Sequence, residues 1–62
     1  MTNEDMIKMD SIILLSFINT KLRDEYSTLK LLCCDLNLDE KLLINKLHDV
    51  GYEYNKDINQ FR

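Results

Sequence analysis

Apolar residues along this chain recur three or four positions apart, the spacing that gathers side chains on one face of an α-helix turning roughly 100° per residue. Three helices are predicted. The first covers residues 11–25, with Leu14, Leu15, Ile18 and Leu22 on one face and Asp10 placed to accept hydrogen bonds from the free N–H groups of the opening turn. Ile13 and Phe17 project from a second face and Ile12 from a third. The first half of this helix is therefore apolar nearly all round, and Ser16, Asn19 and Arg23 are left as its solvated strip. The second helix, residues 28–36, follows Ser27 as N-cap and buries Leu29, Leu32, Cys33 and Leu36, with Leu31 and Cys34 pointing away. Asn37, which tolerates left-handed backbone, ends it. Asp39 caps a third helix over residues 40–50, whose buried stripe is Leu43, Ile44, Leu47 and Val50, and Leu38 with Leu43 forms a hydrophobic staple at its entry.

Gly51 stands where a left-handed residue commonly stops a helix. Beyond it Tyr52 and Tyr54 alternate with Glu53, then Asn55, Lys56 and Asp57 supply turn chemistry ahead of residues 58–61, which reads as a short β-hairpin. The fold class expected is all-α: a three-helix bundle of helix-turn-helix type with a small, wing-like C-terminal β-hairpin. One small domain spans 1–62, made of an N-terminal segment 1–10, helices over 11–50 and a hairpin-like tail 51–62.

With 62 residues, 45% hydrophobic and 31% charged, the chain suits one small globule and excludes a second domain or a disordered tail. A net charge of −3 lacks the basic balance of non-specific nucleic-acid binders. The apolar run 12–18 is broken by Ser16 and is far shorter than the roughly 20 residues a membrane-crossing helix needs. Glu4, Asp5 and Asp10 are wrong for a secretory signal, so a cytoplasmic location with Cys33 and Cys34 as reduced thiols is expected.

Catalysis finds little support in the inventory: one histidine, no glycine-rich phosphate loop, no H-E-x-x-H and no G-x-S-x-G. Cys34 and His48 could pair as nucleophile and base, yet no third orienting group is legible. Cys33, Cys34 and His48 are zinc-donor types, but adjacent helical residues diverge too far to chelate one ion, so neither metal nor cofactor is expected. The surplus apolar residues say more. Ile13, Phe17 and Leu31 are the candidate interface, with Ile12, Leu42, Met6, Ile7 and Met9 as further apolar positions. Either the N-terminal methionines and Tyr52, Tyr54, Ile58 and Phe61 cover them, or a protein partner or a second copy does. The expected function is a non-enzymatic protein-interaction module, homodimeric through the first helix. The alternative is a nucleic-acid-binding transcriptional regulator of winged helix-turn-helix type, presenting Lys41, Asn45 and His48 to the major groove and Lys56 and Arg62 from the hairpin to phosphate. The bland reading of those three residues is the solvated side of an amphipathic helix, and residues 27–62 carry five basic against six acidic side chains.

The blocks Leu14-Leu15-Ser16, Asn19-Thr20-Lys21-Leu22-Arg23-Asp24, Tyr26-Ser27, Asp35-Leu36, Gly51-Tyr52-Glu53-Tyr54 and Asn59-Gln60-Phe61 together resemble a family of short bacterial proteins, domain of unknown function 4250. The K-L-R-D and G-Y-E-Y blocks carry most of the resemblance, which covers nearly the whole chain. It implies a bacterial, intracellular, stand-alone domain and brings no activity, cofactor or catalytic residue with it. The chain departs from that pattern at Ser11, where a proline often opens the helix, and at Leu31 and Cys34, where acidic residues are usual. On the residues themselves, Arg23 and Asp24 are expected to anchor the corner between the first two helices, and Tyr52 and Tyr54 to serve core and rim.

Overall fold

Each helix in this chain begins at a side chain that accepts from its free N–H groups, and the caps set the architecture. The computed structural model describes residues 2–62; Met1, the first residue of the expected N-terminal segment, lies outside the described residues. Four helices and two short strands follow in the order α1 (Asn3–Lys8), α2 (Ser11–Asp24), α3 (Leu29–Leu36), α4 (Glu40–His48), β1 (Tyr54–Asn55) and β2 (Gln60–Phe61).

The fourth helix, α1, forms where the apolar pattern predicts none. Six residues are too few to show a period, but Thr2 and Asp5 make a capping box: Thr2 Oγ1 accepts from the Asp5 N–H at 3.1 Å and Asp5 Oδ2 from the Thr2 N–H at 3.4 Å. Met6 is fully buried. Two bonds fasten α1 to the start and side of α4, the Asp39 N–H donating to Asn3 Oδ1 at 2.8 Å and Lys46 Nζ to the Ile7 carbonyl at 2.9 Å.

Asp10 caps α2 as expected, its Oδ1 accepting from Ile12 N–H at 2.9 Å and Ile13 N–H at 3.2 Å. The cap of α3 is Thr28, one residue after Ser27, because Thr28 holds the extended backbone that points its Oγ1 at the Leu31 N–H, 3.2 Å away. Asn37 ends α3 in the left-handed region at φ 57°, with the Leu38 N–H reaching back to the Cys33 carbonyl at 2.8 Å and the Asn37 N–H to that of Cys34. Asp39 caps α4. The same closing motif ends α4 at Gly51, φ 89°, through Tyr52 N–H to the Leu47 carbonyl and Gly51 N–H to that of His48. This tight turn begins two residues earlier than the apolar spacing predicts, and it carries Val50 off the stripe to 41% exposure.

The core comprises Met6, Leu14, Ile18, Leu22, Leu29, Leu32, Cys33, Leu38, Leu43, Leu47 and Phe61. The hairpin pairs antiparallel, Tyr54 opposite Phe61 and Asn55 opposite Gln60, and Glu53 and Arg62 exchange backbone bonds at 3.0 and 2.8 Å. Two strands this short are marginal alone, so α2 supplies the rest. The Asn19 side chain acts as a third strand's peptide group: its Oδ1 accepts from Phe61 N–H at 2.8 Å and its Nδ2 donates to the Phe61 carbonyl at 3.2 Å. Asn19 therefore leaves the solvated strip expected of it and becomes the hairpin's dock.

Candidate interaction surfaces

The N-terminal methionines and C-terminal aromatics cover only part of the surplus apolar surface. Met6 and Phe61 enter the core, and Met9, Tyr52 and Tyr54 lean on it, but Ile58 and Ile7 are exposed. On α2, Ile12 is 54% and Ile13 60% exposed, while Phe17 is half-buried against the core with Lys21 Nζ 5.6 Å from its ring centre. Ile13, Phe17 and Lys21 follow at intervals of four and so share one side of the helix. Leu31, 52% exposed, belongs to a different feature. It lines an open groove of about 580 Å³ at the α2–α3 corner with Glu25, Tyr26, Ser27, Cys34 and Asp35, and neither Ile13 nor Phe17 is part of that lining.

Arg23 and Asp24 do not anchor this corner. They pair with each other in solvent, Nε to Oδ1 at 2.9 Å and Nη2 to Oδ2 at 3.1 Å, and the bond to Arg23 holds the Asp24 carboxyl below its ordinary value. The corner is tied instead by Tyr26, whose hydroxyl donates to the Asp35 carboxylate, and by Asn59. The tyrosine phenol is pushed up to about 12, first by that hydrogen bond, then by desolvation and by the charges of Asp35 and Glu25.

Asn59 sits at φ 53° in the turn after the first strand. Its Nδ2 donates to the Leu22 carbonyl at 3.0 Å and the Tyr26 carbonyl at 2.8 Å, and its Oδ1 accepts from the Tyr54 hydroxyl at 2.6 Å. The Leu22 carbonyl needs this donor because the Tyr26 N–H that would continue the helix bonds to Lys21 instead. Tyr54 in turn accepts from the Leu29 N–H at 3.3 Å, the first free donor of α3. The aromatic of the G-Y-E-Y block and the asparagine of the N-Q-F block thus close two helix ends, a use that the apolar pattern does not reveal and that left-handed-tolerant asparagine in a turn could have suggested.

Lys41, Asn45 and His48 all lie exposed on α4. Carboxylates interrupt them: Asp39 and Glu40 stand at the start of the helix, and His48 Nδ1 is 3.4 Å from Glu53 Oε1. Lys46 is held by α1, and Lys56 and Arg62 share a cleft of about 500 Å³ with Glu53, Tyr54 and Asn55. Cys33 is buried, its thiol pushed up to about 11 by desolvation and then by the charges of Glu40 and Asp39. Cys34 is exposed and lines the corner groove, of which His48 is no part.

A mostly helical chain ending in a two-stranded antiparallel hairpin, with large apolar side chains in solvent on α2, defines a small helical protein. It belongs to the family described as Domain of unknown function (DUF4250), whose model matches residues 8–61. All of α1 but Lys8 falls outside that match. No curated protein and no solved structure matches the chain. No helix among the described residues is long and apolar enough to cross a membrane.

Proposed function

We propose that this protein is a non-enzymatic, cytoplasmic protein-interaction module that pairs with a second copy of itself through α2. In this reading α2, α3 and α4 form a three-helix bundle of helix-turn-helix type within one domain, with the hairpin in the position of a wing. The observation that carries the proposal is the exposure of Ile12 and Ile13 beside a half-buried Phe17, apolar area that remains in water after the chain's own ends have been used as cover. Nucleic-acid binding is the poorer reading, since Lys41 and His48 stand among Asp39, Glu40 and Glu53, and Lys46 is spent on α1.

Sedimentation equilibrium over a wide concentration range tests the reading. The parent chain is expected to show a dimer, and Ile13→Asp to weaken it about a hundredfold or more, since each dimer loses two buried isoleucines. Helical circular dichroism should be unchanged, because Ile13 takes no part in the core. A parent chain that sediments as a monomer at every concentration removes the homodimer.

A further inference from the structure

The corner groove carries a chemistry that pairing through α2 leaves unused. Leu31 and Asp35 lie one turn apart on the exposed side of α3, with Cβ atoms about 5–6 Å from each other, and Cys34 stands beside them. Across the corner Tyr26 adds an aromatic ring and Glu25 a second carboxylate. The groove's charged lining is acidic throughout, with no lysine or arginine in it. Glu25 is partly neutralised by Lys21 at 2.5 Å, but Asp35 has only the neutral Tyr26 hydroxyl as partner and no cation within 4 Å among the described residues. An apolar floor ending at an uncompensated carboxylate matches a side chain with an alkyl stem and a cationic head. The net charge of −3 favours the approach of a cationic partner over a second copy at this place.

We propose that the groove is a docking site for a basic segment of a partner protein, which lays the stem of an arginine or lysine along Leu31 and the Tyr26 ring and sets its cation on Asp35, with Glu25 at the rim. The site is separate from the α2 face and does not depend on pairing there.

The test is a titration with a blocked peptide of alternating arginine and leucine, followed by amide chemical shifts and by the rate at which iodoacetamide alkylates Cys34. Shifts at Ser27, Leu31, Cys34 and Asp35 and slower alkylation are expected, and the same peptide with glutamate in place of arginine should give neither. Asp35→Asn retains an oxygen acceptor for Tyr26 yet should weaken binding about fivefold, the scale of one partly exposed charged contact. Glu4→Gln, on α1 and outside the groove's lining, should leave affinity unchanged. Equal losses in the two variants, shifts that map elsewhere, or no shifts at all would overturn the proposal. So would groove shifts that appear with protein concentration alone, since the occupant would then be a second copy. Repeating the titration on Ile13→Asp keeps the two readings apart: that variant loses self-association and should retain peptide binding.

Discussion

Asn59 shows how much a single side chain can settle in so small a protein. It holds a left-handed backbone, fills the Leu22 and Tyr26 carbonyls and accepts from Tyr54, so four segments meet at one amide. Removing the amide leaves two part-buried carbonyls without a donor, and placing a Cβ-bearing, non-polar residue there adds the cost of the left-handed conformation. Asn59→Ala is therefore expected to lower stability by about 2–3 kcal/mol, whereas Asn59→Gly, which adopts that backbone freely, should lose roughly 1 kcal/mol less. Urea unfolding checks both, and equal losses would mean that the backbone conformation contributes nothing. Little of this was legible beforehand. Asn37 and Gly51 were readable as left-handed stops because each follows an apolar-periodic run. Asn19 and Asn59 bond across sequence separations of 42 and 37, and no local pattern encodes such partners. For the same reason Arg23 and Asp24, plausible as a tie between helices, turn out to satisfy each other at neighbouring positions.

At the scale of elements, the starts of α2 and α4 and the Leu29, Leu32, Cys33 face of α3 follow from cap chemistry and spacing, since both are local. α1 escaped because its only inward residue is Met6, and one residue makes no period. Its capping box was nonetheless present in Thr2 and Asp5. A helix of six residues lies well below the roughly 12–15 needed for even marginal helicity in isolation, so α1 exists through Met6 and the bonds at Asn3 and Ile7. It should then open separately from the rest, with amide exchange in its six residues faster than in α2. Met6→Ala, which empties a fully buried site, is expected to cost about 2–4 kcal/mol and to abolish exchange protection in α1 while α2 retains its own. Simultaneous loss of protection in both helices would make α1 part of the cooperative core instead.

Over the whole molecule, the exposed apolar positions on α2 could be foreseen because a helix apolar on three sides cannot be enclosed by two short neighbours. Which apolar residues shared a surface could not, since the α3 groove depends on the angle at the corner and on Tyr26 reaching Asp35. That corner and the core also set a response to alkali. The Cys33 thiol stands at about 11 against an ordinary 9.0, and the Tyr26 phenol at about 12 against 10.0. Both groups lose a proton more easily in the unfolded chain, so between the two sets of values the folded state binds more protons and stability falls as pH rises. Their stabilisation is complete below about pH 9 and is lost through about pH 11 for Cys33 and about pH 12 for Tyr26. Stability measured by urea from pH 8 upward should bend down in that window. Cys33→Ala is less stable than the parent at neutral pH because it leaves a void, so the slope decides and not the height. Its curve should be flatter than the parent's in the lower part of the window, and that of Tyr26→Phe flatter in the upper part, each variant having lost one ionisation that favours the unfolded chain. A Cys33→Ala curve as steep as the parent's would mean that the thiol titrates alike in both states, and that burial beside Glu40 and Asp39 leaves its ionisation unchanged.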